Sequence, residues 1–490
     1  MSHAVLGGQN WFVAAASLIR RRVVRDYLQG AVWVLPGLGI VLGLGAGALL
    51  SGIQVRPGSL LERLAFQGSA SDAQLILTTV SATMITLTGI VFALTVVALQ
   101  IASSQFSVRL LRTFLRDVAN QVVLAIFVCT FAYSAGGLYT VGQRSGGGSY
   151  VPQVAVSGAL GLALASTGAL VFFLHHLMHS IQIDTIVEST QLRTLAVVDE
   201  LFPDADSPGP APPQRPAPPQ QAAPLLAPQS GYLQAVDVED LANLAGRSGH
   251  TVVLVVAVGD YVTAGDLVGW CWLRGAGQVA RPPDSDWLRR FLDHVHIGFE
   301  RTLHQDIRFG LRQMVDVALR ALSPAVNDPY TGVQVVHHLS AVESILASRA
   351  LGDDVRRDGS GAVLVWLPYP GFATYLQLGC GQIRRYGAHD PLVLMALLQM
   401  LSSAAARCVD PSRRADVQAQ IDHVVRVAER ELSEPSDRAM VAAAGVGATA
   451  VVSQPGTLAP PPSTFGQVAA AAAIRGAADP DSAARRGASQ

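Results

Sequence analysis

The chain has 490 residues, half of them hydrophobic and only 14% charged, with a formal net charge of -1; ordinary soluble domains carry about a quarter charged residues, and a charge so near zero supplies no field to attract nucleic acid as a partner. Every basic residue is arginine, so Schiff-base chemistry, a P-loop lysine and lysine-linked lipoyl, biotin or pyridoxal phosphate groups are excluded. The cysteines Cys129, Cys271, Cys380 and Cys408 are scattered with no C-x-x-C pair, which fits neither a disulfide framework nor a zinc site.

Residues 1–30 form an N-terminal segment carrying Arg20, Arg21, Arg22 and Arg25. Four uncharged stretches occupy residues 31–183: Ala31 to Gln54, Ala73 to Val108, Val118 to Gln143 and Ser145 to Ile183. Each exceeds the ~20 apolar residues that a helix needs to cross a bilayer. The first is too long for a signal-peptide core and reads as a retained anchor. Arg109, Arg112 and Arg116 join the second and third spans, whereas the other two connections hold only Arg56, Arg63 and Arg144 with Glu62. The positive-inside rule then puts both termini in the cytoplasm and predicts a multi-pass protein of the bacterial inner membrane, with the lipid bilayer as partner.

Within the spans, Gly39, Gly43 and Gly47 repeat at i, i+4, i+8, a spacing that lets another helix approach closely, either in the same bundle or in a homo-oligomer. In the second span Thr79, Thr83 and Thr86 share a helical face; such hydroxyls either line a wet path or bond their own backbone. No Asp, Glu or Arg lies inside any span, which weighs against proton pumping and ion-coupled transport. After the second span Arg109, Arg112 and Arg116 lie opposite Leu110, Leu111, Phe114 and Leu115, an amphipathic pattern suited to anionic headgroups. His175 and His179 near the end of the fourth span stand at i, i+4, a spacing that can hold a metal or simply suits the negative end of a helix.

The helical pattern continues over residues 184–202, and a proline- and alanine-rich linker over 203–229 separates it from a β-rich region. That region, residues 230–280, shows short β-rich runs with "GD" turns, and "VVLVVAVGDYVTAGDLVGW" resembles the hairpin of barrel-sandwich modules. Residues 281–434 are predicted to be mainly helical, with a strand at "GAVLVWLP". Beyond 435, Ala, Gly, Ser and Pro dominate, and the tail to 490 is expected to be disordered. The fold class is therefore an α-helical integral membrane protein with four transmembrane helices and a cytoplasmic mixed domain, part β-rich and part helical.

"RALSPAVNDPYTG" breaks two helical stretches. Pro324 cannot continue the first, and Asp328 followed by Pro329 caps and opens the second, whose Val333, Val336 and Leu339 face inward. Asn327 and Asp328 also offer side-chain oxygens to a cation or ligand, with Asp306, Asp316, His337 and His338 as candidate neighbours. The run "RTLHQDIRFGLRQMVDVALRALSPAVNDPYTG", with "VALQIASSQFSVRLLRTFLRD" and "FFLHHLMHSIQ", resembles bacterial predicted membrane proteins of domain-of-unknown-function family 2254. Val108 stands where that family's second motif has a proline. The resemblance implies four membrane helices plus a cytoplasmic domain. It brings no catalytic residues, only motif positions: Arg301, Gln305, Asp306, Arg320, Ser323, Pro324, Asn327, Asp328, Pro329 and Thr331.

Three functions are compatible with these residues. The leading one is a conduit lined by Thr79, Thr83 and Thr86 and gated by the cytoplasmic domain. The second is a membrane-anchored scaffold or sensor that binds a ligand or protein at the Asn327–Asp328 corner. A membrane enzyme ranks last, because the sequence offers no nucleophile–base pair, phosphate loop or full metal set.

Overall fold

The computed structural model describes residues 33–53, 65–105, 118–142, 150–180, 182–202, 214–274, 284–408 and 410–454, in two compact units, 1–186 and 187–490. The first unit holds four helices, α1 (Val34–Ser51), α2 (Ala70–Gln105), α3 (Val118–Thr140) and α4 (Gln153–Ser180). All four are long and apolar enough to cross a membrane. At 1.5 Å per residue α1 spans about 27 Å and α2 about 54 Å, against a hydrocarbon core of about 30 Å.

Gly39, Gly43 and Gly47 are buried where α1 meets α3. A Cβ at Gly39 would lie 2.8 Å from the Ala125 carbonyl oxygen, and Cβ atoms at Gly43 and Gly47 would fall closer still to those of Cys129 and Tyr133. The glycine repeat therefore seats α1 on the backbone of α3 in the same chain. Elsewhere the bundle is filled by side chains, with Val80, Met84, Val91, Phe127 and Phe173 in one cluster and Ala73, Leu77, Tyr133, Val156 and Ala159 in another. A buried polar link joins α3 to α4, between the Thr130 and Ser166 hydroxyls at 3.1 Å.

Helix α5 (Ile183–Leu201) comes next in the chain. The second unit combines two sheets with a helical layer. Strands β1 (Ala223–Leu226), β5 (Leu267–Leu273), β3 (His250–Leu254), β8 (Val363–Leu367) and β7 (Asp354–Arg357) lie side by side in that order, and β4 (Tyr261–Val262), β2 (Gly231–Val236) and β6 (Val295–Gly298) form a second sheet. Helices α6 (Val238–Ser248) and α7 (Ser285–Asp293) contribute Leu241, Trp287 and Phe291 to the core that also holds Leu233, Val252, Leu254, Val365 and Leu367.

The β-rich part is wider than residues 230–280. Strand β1 lies inside the expected linker, β6 and β7 come from the stretch expected to be mainly helical, and β8 is the strand expected at "GAVLVWLP". β3 pairs in parallel with β8, which its own hairpin could not provide. β1 escapes notice because "APLL" sits among prolines; its pairing with β5 keeps it in place at the sheet edge, where proline is tolerated.

The helical layer comprises α8 (Ile307–Ala321), α9 (Pro329–Ser348), α10 (Phe372–Tyr386), α11 (Pro391–Arg407), α12 (Pro411–Glu431) and α13 (Pro435–Ser453). Asp328, Asp390 and Asp410 each cap the helix that the next proline opens, because proline lacks the N–H that a first turn leaves unused. α11 is the centre: Val393, Leu394, Leu397, Leu398, Met400 and Leu401 are all buried. The expectation of disorder from residue 435 fails for α13. Its Val441, Gly445 and Ala448 make a narrow buried face that packs on α11 and α12, and small residues can pack a helix closely without much apolar bulk. Residues 455–490 lie outside the described residues.

Candidate functional site

The corner between α8 and α9 is built from short-range hydrogen bonds. The Ser323 hydroxyl donates to the Arg320 carbonyl at 2.7 Å, and the N–H groups of Asn327 and Asp328 reach the carbonyls of Ser323 and Ala321, each at 2.8 Å. Asn327 has φ 51°, the left-handed region that asparagine tolerates better than most residues. Both carboxylate oxygens of Asp328 are engaged, one accepting the Thr331 N–H at 3.1 Å and the other its hydroxyl at 2.6 Å. The tip nevertheless presents Val326 at 52% and Tyr330 at 68% exposure. Replacing Asp328 by Ala is expected to cost about 1 kcal/mol, read as a lower midpoint in thermal unfolding of the full chain, with Asp328→Asn recovering most of it.

Arg301, Gln305 and Asp306 do not join this corner. They sit before and at the start of α8, whose 15 residues separate its two ends by about 22 Å. Gln305 pairs with the backbone of Val236, accepting its N–H at 2.9 Å and donating to its carbonyl at 3.2 Å, so that a side-chain amide acts as one more rung beside β2. Asp306, 2% exposed, caps α8 by accepting the Phe309 N–H at 3.2 Å. It also meets Arg301 Nε at 2.8 Å and lies 3.7 Å from Arg308 Nε. Burial pushes this carboxyl above the usual range, against the pull first of Arg301 and then of Arg308. Arg308 continues to the Asp260 carboxylate at 2.8 Å and the Val258 carbonyl at 2.7 Å. These motif residues are thus a joint between the helical layer and the turn at Gly259.

The remaining candidates separate in the same way. Asp316 pairs with Arg312 one turn away at 2.7 Å, and Arg312 also reaches Gln382. His338 meets Gln191 of α5 at 2.5 Å, while His337 is exposed. The Thr79, Thr83 and Thr86 hydroxyls each donate to a carbonyl of their own helix, at 2.7, 2.8 and 3.1 Å, and all three lie on an exposed face of α2. The His175 and His179 rings approach to 4.3 Å between centroids, with His179 Nδ1 3.0 Å from the His175 carbonyl; among the described residues no third metal-binding side chain completes a set with them. Arg109, Arg112 and Arg116 lie outside the described residues.

Two constellations have no counterpart in the sequence reading. Asp237, Asp240 and His294 hold one oxygen or nitrogen atom each within 4.8 Å of the others, a donor set that could hold a divalent metal. The Asp237 N–H donates to the His294 carbonyl at 2.9 Å, and Asp237 caps α6 through the Asp240 N–H. Burial, then the neighbouring Asp237 charge, raises the Asp240 carboxyl. The second is Glu343, wholly buried in α9 with neither carboxyl oxygen hydrogen-bonded. A helical count from Val336 and Leu339 finds it on the inward face, the one signal that sequence offers.

The profile of the family described as "Predicted membrane protein (DUF2254)" matches residues 29–403. Uncharacterized proteins of Mycobacterium bovis and Mycobacterium tuberculosis are 65% identical over 466 residues, covering 94% of this chain and 88% of each relative. No solved structure matches the chain.

Proposed function

The chain belongs to the DUF2254 family of predicted membrane proteins, and from that premise we propose that it is a membrane-anchored scaffold or sensor. In this reading four helices hold the second unit at the cytoplasmic face of the bacterial inner membrane, the side that the arginine asymmetry favours. The corner at Ser323 to Thr331 is the docking element. The observation that carries the proposal is a rigid turn presenting exposed Val326 and Tyr330. A tyrosine on a fixed backbone offers contact area and a hydroxyl at little entropic cost on binding. The asparagine and aspartate of the corner serve its shape, so the contact falls to the tip residues rather than to a chelating carboxylate.

A conduit draws less support. The three threonines satisfy their hydroxyls within α2, and the two described clusters inside the bundle are apolar. A photoreactive residue at position 330 or 326 in cells is expected to trap the same protein from both positions. That protein, once purified, should bind the full chain in lipid nanodiscs about tenfold more weakly after Tyr330→Ala, a loss of about 1.4 kcal/mol. Unchanged affinity would overturn the docking reading. Ion flux in liposomes that disappears when Thr79, Thr83 and Thr86 become leucine would replace it with the conduit.

A further inference from the structure

Glu343 occupies the middle of α9, 0% exposed, with its carboxyl against Gly379 of α10. A Cβ at Gly379 would stand 2.7 Å from Glu343 Oε1, so this glycine makes the room that the carboxyl fills. Neither carboxyl oxygen has a hydrogen-bond partner. Among the described residues no neighbouring element brings a compensating charge. From α10 the groups coupled to Glu343 are Tyr375 and Cys380, both buried and both held in their neutral forms by that burial, while Arg384 of the same helix bonds to Gln420. On α8, Arg308 is committed to Asp260 and Arg312 to Asp316, leaving Arg320 in the last turn beside the corner. α11 has no ionisable residue before Arg407. Arg413 of α12 bonds to the Ala347 and Arg349 carbonyls at the end of α9. On α9 itself, His337 and His338 lie more than a turn away, with His338 on Gln191.

We propose that Glu343 is a proton-binding site that holds α9 against α10 when occupied and loosens that interface when empty. An uncharged carboxyl can remain between two apolar helix faces, but a carboxylate with no partner cannot remain there without water. Admitting water requires the helices to part at Gly379, which uncovers Cys380. Burial alone raises the Glu343 pKa from 4.5 to about 8, so the proton is bound through the physiological range and leaves just above it. The folded chain holds the proton more tightly than the unfolded chain. The stabilisation it supplies is complete below about pH 4.5 and declines as pH rises toward 8, where the folded state also releases it. The site rests on packing within the second unit and does not depend on a partner at the corner.

The test uses the full chain in nanodiscs, wild type and Glu343→Gln, with hydrogen exchange corrected for its intrinsic pH dependence. The peptides covering α9 and α10 in the wild type are expected to lose about a hundredfold in protection between pH 6 and pH 9, most of it below pH 8. The glutamine variant, which keeps the shape without the titration, should lose none. At a fixed pH of 9, peptide-resolved alkylation of Cys380 should be about tenfold faster in the wild type than in the variant. If Glu343→Gln does not fold, infrared spectroscopy of the wild type decides: a neutral carboxylic-acid band that fades between pH 7 and pH 9 supports the site. Protection that is flat with pH in the wild type, equal pH dependence in both proteins, or no fading band overturns it.

Discussion

Gly43→Leu is expected to separate α1 from the rest of the bundle. The Cβ it adds points at the Cys129 carbonyl and comes within 3.0 Å of the Ala132 side chain. A flexible side chain could swing aside, but a carbonyl fixed in the α3 hydrogen-bond ladder cannot, so the helices must part along their contact. Overpacking of this kind costs about 3 kcal/mol, and in a bilayer no hydrophobic drive between helices makes up the loss, since lipid tails are as apolar as leucine. The expected readout is a chain that still inserts but shows an early thermal transition in detergent, with cross-links lost between cysteines placed on α1 and α3. Gly45→Leu is the control: nothing lies within 4 Å of a Cβ there, and stability should be unchanged. Equal behaviour of the two variants would show that α1 does not rest on α3 through its glycines.

How much of this was legible in the sequence depends on the range over which each feature is decided. A span is decided by its own composition, so Ala31–Gln54 and Ala73–Val108 anticipate α1 (Val34–Ser51) and α2 (Ala70–Gln105) closely. Caps are equally local, and Asp328–Pro329 opens α9 as its residues require. The sheet is different. β8 lies more than a hundred residues beyond β3, yet the two pair Val252 with Val365; no local pattern chooses that partner. The tail shows the opposite fault: α13 has little apolar bulk, and its narrow face of Val441, Gly445 and Ala448 gains meaning only through its packing on α11 and α12.

The candidate site was the least legible part, and for a physical reason. Arginine, glutamine and aspartate close together in one motif look like a ligand-binding set, because the same hydrogen-bonding capacity serves a ligand or a distant strand. Gln305 spends its amide on Val236, 69 residues away, and Asp306 spends its carboxylate on two arginines and a helix cap. Glu343 is the reverse case. The helical count puts its carboxyl on the inward face, but only the packing around it shows that it is wholly buried with neither oxygen partnered.

The joint at Asp306 yields the second large effect. Asp306→Ala is expected to destabilise the second unit by about 3 kcal/mol, the order found when one partner of a buried ion pair is removed. Three losses coincide: the α8 cap, the partner of Arg301, and the wall against which the turn at Gly259 rests. Arg301 and Arg308 are themselves mostly covered, so their guanidinium groups cannot simply turn to solvent. Asp306→Asn keeps the cap and the shape while removing the charge, and should fall between the wild type and alanine. Gly259 provides an independent approach to the same contact. Its φ of +91° already favours glycine, and a Cβ there would run into the Asp306 carboxyl, so Gly259→Ala should produce the same local loosening without touching the charge. Hydrogen exchange of the full chain is the measurement, with protection lost first over β2, the 255–262 turn and the start of α8. Intact protection there in Asp306→Ala would mean that the helical layer holds the sheets through its apolar core alone.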